Sequence, residues 1–516
     1  MLVPDLVHNA ATRFPDRVCI AEGERSRTFA EVDEQATRMA EALHGSGLRR
    51  GDRVALLAYN ELEYLEIQLA VQRAGMILVP LNFRLTVSEL AVILGDCTPR
   101  LLVHGPGLDG VAGQLGVEHV WHLGASGVGD SYDELVGAAA LRACDTYVPA
   151  DQAAAIMYTS GTTGRPKGAV LSSGAVWARC NVMSNEADIR SGDVFVQGLP
   201  MFHIAAHTSN GFTYRGATTV LSREFDPAGF AELLTKWSAT HVLLVPTMIN
   251  MLTLEPSVVE ADFDRLRMVL YGASPIAPEI LRRAIDAFHS GFLQFFGMTE
   301  TFGVSLLRPE DHDPVGHPEW LASAGTDALS AETRVVDPDG ADVPPGVVGE
   351  ILSRGPTVMD GYWNDPRATD DALRGGWMHT GDLGYRSPDG YLFVSDRLKD
   401  MIVSGGENVY PREVEDVLHE HPAVLEAAVI GVPDDRWGER VHALVVLRPG
   451  ATADPETITE FCREHLAGYK VPKSLELSAE LPKNATGKVL KHLLRDRYAP
   501  VAGTPATGSP RQKEAQ

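Results

Sequence analysis

Two rhythms of apolar and polar positions alternate along the first 330 residues. Short apolar runs such as RVALLA, MILVPL, RLLVHG, HVLLVP and RMVLYG have the length and composition of strands. Between them stand segments such as EVDEQATRMAEALHGSGL, where apolar residues recur at helical spacing. Strands alternating with helices predict a layered α/β architecture. From about residue 330 the texture shifts to VVDPDGADVPPGVVGEILSRG and GYLFVSDRLKD, short alternating strands broken by Asp-Gly and Pro-Pro turns, as in an antiparallel barrel or hairpin layer. A third texture begins near SDRLKDMIVSGGENVYPREVEDVL, where a polar, glycine-bearing crossing leads into a helix with Pro411 in its first turn and Val414, Val417 and Leu418 on one face.

These shifts predict a large N-terminal domain (1–396) of layered α/β sheets with a small barrel-like β subdomain. A small, mobile α+β C-terminal domain (397–500) follows, with a tail (501–516) that lacks apolar periodicity and reads as disordered. At 516 residues there is ample material for a buried core. The 45 Lys and Arg against 69 Asp and Glu leave a formal charge of −24, which argues against a general affinity for nucleic acid or anionic membrane. Any anionic ligand must then be held by local groups. Five scattered cysteines with no CxxC pair point to reduced thiols and a cytoplasmic setting, with neither a zinc site nor a disulfide framework. No signal-peptide pattern and no membrane-spanning stretch are read. Peripheral membrane contact through an apolar patch stays open, as does oligomeric state, a homodimer included.

Local chemistry is concentrated in YTSGTTGRPKGAV, residues 158–170, where three glycines, several hydroxyls and two basic residues stand together. Glycines let backbone N–H groups turn inward while Ser, Thr and Lys add donors and charge, so the loop suits a phosphate. It fails the nucleotide-loop pattern G-x-x-x-x-G-K-S/T, because Pro166 falls where the second glycine would stand and Gly168 follows Lys167. Upstream AAAIMY reads as a buried strand; downstream, Ser172 or Ser173 offers a cap for a helix. The reading therefore sets the loop between strand and helix.

Four further segments join it in order: QFFGMTE (294–300), HTGDLGY (379–385), DRLKDMIVSGGENVYPREVE (396–415) and LPKNATGKVLK (481–491). Together they resemble the adenylate-forming superfamily of acyl-CoA synthetases, luciferases and nonribosomal adenylation domains, over roughly residues 5–498. The crossing and the GVPDDRWGE segment look most like bacterial fatty-acyl and aryl-carboxylate CoA ligases. The resemblance implies an enzyme that joins a carboxylate to ATP as an acyl-adenylate, releases pyrophosphate, and passes the acyl group to coenzyme A with Mg²⁺ as cofactor.

Residue roles follow from the same resemblance. Thr159, Ser160, Gly161, Thr162, Thr163, Gly164 and Lys167 are expected to cradle the β- and γ-phosphates, with Thr163 counted among the catalytic residues. Glu300 is expected to bind Mg²⁺ and Thr299 to contact the α-phosphate. Gly272, Ala273, Ser274, Phe296, Gly297 and Met298 should border the adenine, and Asp382 with Arg397 the ribose. Phe296 stands where the family usually has Tyr, which keeps a stacking face and loses a hydroxyl. Lys488 corresponds to the adenylation lysine and Lys399 to a hinge about which the small domain turns between half-reactions. Gly405 and Gly406 should line the pantetheine path, and Trp437, Tyr469, Lys470 and Lys473 are candidates for the CoA nucleotide. The acyl pocket is expected from His203, a gate at its mouth, with His207, Met248, Ala273 and Gly297. Ala273 replaces a family glycine and should narrow the slot. None of these pocket residues carries a fixed charge that would suggest a polar acyl group, so a medium- or long-chain fatty acid is expected, an aryl or phenylpropenoic acid being the alternative. Transfer to a carrier protein and a non-catalytic acyl-AMP-binding module are the competing functions.

Overall fold

The computed structural model describes residues 5–142, 148–159, 166–259, 263–397, 400–404, 407–434, 436–483 and 489–498, the side chains of 396, 397 and 408 apart, and the backbone of 2–3. The chain divides into two compact units, Met1–Val394 and Ser395–Gln516.

Two large sheets organise the first unit. One has eight strands in the order Gly361–Tyr362, Lys167–Ser172, Ala153–Thr159, Ile77–Pro80, Arg53–Leu57, Leu101–His104, His119–His122 and Asp130–Ser131. Its strands from Ala153–Thr159 onward run parallel, which is why the sequence shows apolar runs rather than alternation: both faces are covered. Val54, Leu56, Leu101 and Val103 pack on one side with the helices Phe29–Gly45 and Leu62–Arg73, and Ala55, Leu57, Val79 and Leu102 on the other with the helix Val87–Cys97. Reciprocal capping boxes, Thr28 with Glu31 and Thr86 with Glu89, start two of these helices.

The second sheet has nine strands with a parallel centre that includes His241–Leu244, Met268–Gly272 and Gly291–Phe296. Ligands in open parallel sheets collect beyond the carboxyl ends of the strands. Here two neighbouring strands end side by side, with Gly272 opposite Phe295, and the chain continues into 273–274 and 297–300 at that edge. The antiparallel layer read after residue 330 is a four-stranded sheet of Glu332–Val336, Gly349–Arg354, Met378–Arg386 and Leu392–Arg397.

In the second unit, Ile402–Ser404, Glu407–Val409, Val424–Asp434, Gly438–Leu447 and Ser474–Leu477 form one sheet. Alternate residues of its two long strands point to opposite faces. Val429, Val441 and Ala443 meet Val414 and Leu418 of the helix Pro411–Glu420, while Ile430, Val432 and Leu444 meet Leu494 of the helix Lys491–Tyr498. Pro411 occupies the first turn as read, and Val417 packs on the same cluster. Among the described residues no helix is long and apolar enough to cross a membrane, and Cys19, Cys97, Cys180 and Cys462 are free and buried.

Candidate active site

The glycine-rich stretch does not lie between a strand and a helix. Ala153–Thr159 pairs antiparallel with Lys167–Ser172, Thr159 opposite Lys167, so the stretch joins two strands of a hairpin. The helix Ser173–Glu186 starts one strand later, its N-cap being Ser172, whose side chain accepts from Ala175 N. The expectation fails because the run KGAVLS pairs with its neighbours as a strand before the Ser172 cap acts. Lys167 is the first residue of that returning strand, and Thr159 Oγ1 donates to its carbonyl at 3.4 Å. Ser160, Gly161, Thr162, Thr163 and Gly164 lie outside the described residues.

Glu300 sits in a tight loop between Gly291–Phe296 and Ser305–Leu307. Phe302 N and Thr301 N both donate to Met298 O, and Val304 N to Phe296 O at 2.7 Å. Gly297 is required there, since a Cβ would lie 1.5 Å from Phe302 O. Gly272 is required in the same way, a Cβ falling 2.4 Å from Phe295 O. The loop is clamped from outside. Met359 N donates to Glu300 O at 2.7 Å. The fully buried Arg179 donates from Nη2 to Thr299 O at 2.9 Å and from Nε to Thr357 O at 3.0 Å. Burial pulls Arg179 down to about 9, opposed by Glu300 and Asp360, so it stays charged at neutral pH.

Tyr362 completes the arrangement. Its hydroxyl donates to Glu300 Oε1 at 2.9 Å, and the ammonium of Lys167 stands 5.0 Å from its ring centroid, within cation–π range. Its strand Gly361–Tyr362 pairs with Val170 and Ala169 of the hairpin. One ring therefore joins the hairpin lysine to the buried carboxylate. Burial, reinforced by Glu300, pushes the tyrosine hydroxyl far above its ordinary value, which keeps it a donor. Sequence reasoning missed Tyr362 and Arg179, and nothing in DGYWNDP or VWARCNV marks either as part of a site.

A carboxylate fixed by one neutral donor, whose ring also carries an ammonium, suits a hard cation shared with phosphate oxygens. No group of three His, Cys, Asp or Glu residues forms a metal cage among the described residues. A divalent ion here would rest on Glu300 together with ligand oxygens, the usual arrangement for Mg²⁺.

At the strand edge Ala273 is exposed and has φ of 69°, a left-handed conformation that strains a residue with a Cβ. Phe296 is half-buried against Val304, Val335, Ile351 and Leu392. Asp382, buried, follows Gly381 (φ 69°) where the strand Met378–Arg386 slips register against Gly349–Arg354. Its N–H donates to Thr380 Oγ1 at 3.1 Å, and Thr380 Oγ1 donates to Ile351 O at 2.7 Å. Arg397 ends the strand Leu392–Arg397 with its side chain outside the described residues, as are Lys399, Gly405, Gly406 and Lys488 altogether.

His203 and His207 line one cavity of about 20 Å³ with Tyr64, Gln68 and Met157. Met248 is elsewhere, buried in the cluster of Phe230 and Val242, and neither Ala273 nor Gly297 lines this cavity. Burial drives His203 down to about 4, with Arg84 adding to the effect, and His207 to about 3, with Arg179 adding. Both rings are uncharged at neutral pH.

Among the CoA candidates, Trp437 is half-buried, its ring flanked by Arg436 at 4.8 Å and Lys473 at 5.8 Å. Lys473 also donates to Gly468 O at 2.6 Å and borders a groove of about 430 Å³ with Arg463 and Ser474. Tyr469 is exposed, and Lys470 is paired with Glu413 at 2.5 Å.

Comparison with known proteins adds two family matches: AMP-binding enzyme over residues 7–363 and AMP-binding enzyme C-terminal domain over 413–488. A feruloyl-CoA synthase from Amycolatopsis sp is 39% identical over 94% of this chain and 96% of its own. A fatty acid–[acyl-carrier-protein] ligase, ScoC, from Streptomyces coeruleorubidus is 38% identical over 93% of each chain. The amide bond synthetase McbA from Marinactinospora thermotolerans superposes with a TM-score of 0.88 at 32% identity, over 96% of this chain and 99% of its own. With a family model spanning most of the first unit, and close relatives along nearly the whole length, the chain belongs to the AMP-binding enzymes, the adenylate-forming superfamily that its motifs resemble.

Proposed function

We propose that this protein activates an acid with an apolar acyl group as its acyl-adenylate and transfers the acyl group to coenzyme A. It is an AMP-forming acyl-CoA synthetase that uses ATP, Mg²⁺ and CoA. The observation that carries the reading is the link from Lys167 through Tyr362 to Glu300, a cation and a metal-type carboxylate held in one frame. A free carboxylate is a poor electrophile, and joining it to AMP supplies a better leaving group at the expense of charge that must be held. Lys167 offers fixed positive charge to the departing pyrophosphate. Glu300 would hold Mg²⁺, whose charge would neutralise phosphate oxygens. Tyr362 and Arg179 keep that carboxylate and its loop in place, so little reorganisation is needed during reaction.

Sequence favours a medium- or long-chain fatty acid. The feruloyl-CoA synthase relative supports the aryl alternative equally, and ScoC supports a carrier protein as acceptor. Incubation with ATP, Mg²⁺ and a panel of alkanoic and phenylpropenoic acids, read as pyrophosphate release, names the acid. Repeating the best case with CoA and with a purified acyl carrier protein names the acceptor. Absence of pyrophosphate with every acid would leave only the binding-module reading.

A further inference from the structure

We propose that Glu350 is a positioning residue for the nucleotide ribose: its carboxylate holds the bulge that aims Asp382. The inference rests on the ligase reading and on the ribose contact expected of Asp382, and it names what fixes that contact.

The strands Gly349–Arg354 and Met378–Arg386 pair antiparallel, with Leu352 opposite His379 and Glu350 opposite Leu383. Between those pairs Ile351 alone faces Thr380, Gly381 and Asp382. The second strand therefore bulges, and a bulge re-aims a side chain at the cost of ladder hydrogen bonds. Gly381 turns it with φ of 69°, a conformation that glycine adopts without strain. Backbone groups released from the ladder need other partners. Glu350 supplies them from the facing strand. Its Oε1 accepts from Gly381 N at 3.3 Å. Its Oε2 accepts from His379 Nδ1 at 2.9 Å, with the proton on that nitrogen, and from Arg374 Nη2 at 3.3 Å. Between these ties Thr380 Oγ1 accepts from Asp382 N and donates to Ile351 O. Residues 379, 380 and 381 are thus each tied through a side chain to the strand opposite, and Asp382 follows directly.

The side chain of Glu350 is only 16% exposed, in a strand where Gly349 and Ile351 are buried. A carboxylate so placed costs free energy unless it is hydrogen-bonded, and His379 and Gly381, both on the approach to Asp382, meet that need. The bulge also adjoins the adenine side of the site. Ile351, the residue it stands opposite, packs in one cluster with Phe296 and Val304. The ring expected beside adenine and the carboxylate expected on the ribose are joined through that residue. A carboxylate accepts from both hydroxyls of a vicinal diol only when its oxygens face them, so its aim decides both bonds.

The test measures kcat/KM for pyrophosphate release with ATP, 2′-deoxyATP and 3′-deoxyATP at a fixed acid. Wild type should prefer ATP by about 10- to 100-fold over each analogue, as expected for hydrogen bonds to a charged group. In Glu350→Leu, which loses every tie, the preference should fall below roughly threefold. Glu350→Gln keeps one oxygen for Gly381 N but cannot accept from His379 Nδ1 as well, so it should fall between the two. A merely structural loss would slow all three nucleotides alike and leave the ratio unchanged. Each ratio is taken on one preparation, so partial misfolding cancels, and the isosteric Glu350→Gln serves if Glu350→Leu does not fold. A wild-type ratio in whichever variant folds overturns the role of Glu350 and leaves that of Asp382. Equal use of the three nucleotides by wild type overturns the ribose contact and this inference with it, leaving the ligase intact. Failure of every acid to release pyrophosphate with ATP overturns the ligase reading itself.

Discussion

Tyr362→Phe deletes one oxygen and leaves the ring on which Lys167 rests. What is lost is the 2.9 Å hydrogen bond to Glu300 Oε1. A hydrogen bond to a charged group contributes about 1.5 to 3 kcal/mol. Glu300 is buried, so its oxygen has little solvent to turn to, while its carbonyl stays tied to Met359 N at 2.7 Å. The loop should keep its path and the carboxylate should lose its aim. At 1.36 kcal/mol per tenfold, adenylation should slow by about 10- to 100-fold. Single-turnover formation of the acyl-adenylate, measured across a Mg²⁺ titration, should show a lower plateau and a midpoint shifted to higher Mg²⁺. Tyr362→Leu, which also removes the cation–π face, should fall further. In a Glu300→Gln background the Phe substitution should add little, because the charge that the hydroxyl serves is gone. A Tyr362→Phe enzyme within twofold of wild type in rate and in Mg²⁺ midpoint would refute the link between Lys167 and Glu300.

Three further outcomes are expected. Burial raises Glu66 to about 7 from an ordinary value of 4.5, so between those pH values the native state holds more protons than the unfolded chain and stability falls as pH rises. Glu66→Gln should therefore be about 2 to 3 kcal/mol more stable than wild type at pH 8 and nearly equal at pH 4, and a urea-melt difference independent of pH would contradict this. Ala273→Gly should raise the urea midpoint by up to ~1 kcal/mol of stability, the left-handed strain relieved at φ 69° less the entropy that glycine adds to the unfolded chain; a less stable variant would count against that strain. Lys488→Ala should abolish pyrophosphate release yet still make thioester from supplied acyl-adenylate and CoA, and equal loss of both half-reactions would contradict the family role given to this lysine.

Much of this protein is written locally. Apolar runs such as RVALLA and RMVLYG became parallel strands because burial on both faces leaves no polar alternation, and the motif order alone identified the superfamily. The glycine-rich stretch was legible as an anion loop by composition, but not as a hairpin tip, because whether KGAVLS pairs as a strand depends on the strands at 153–159 and 361–362 that receive it. The means by which Glu300 is held was not legible at all. Its hydroxyl partner lies 62 residues away, and Arg179 reaches a carbonyl 178 residues away. The cavity likewise gathers Tyr64, Met157 and His207 from three distant segments. Periodicity and turn chemistry act over a few residues, so the sequence by itself determined the elements, the domain textures and the family. Which side chains share a hydrogen bond is set by how packed layers bring remote segments together, and that only the tertiary structure decided.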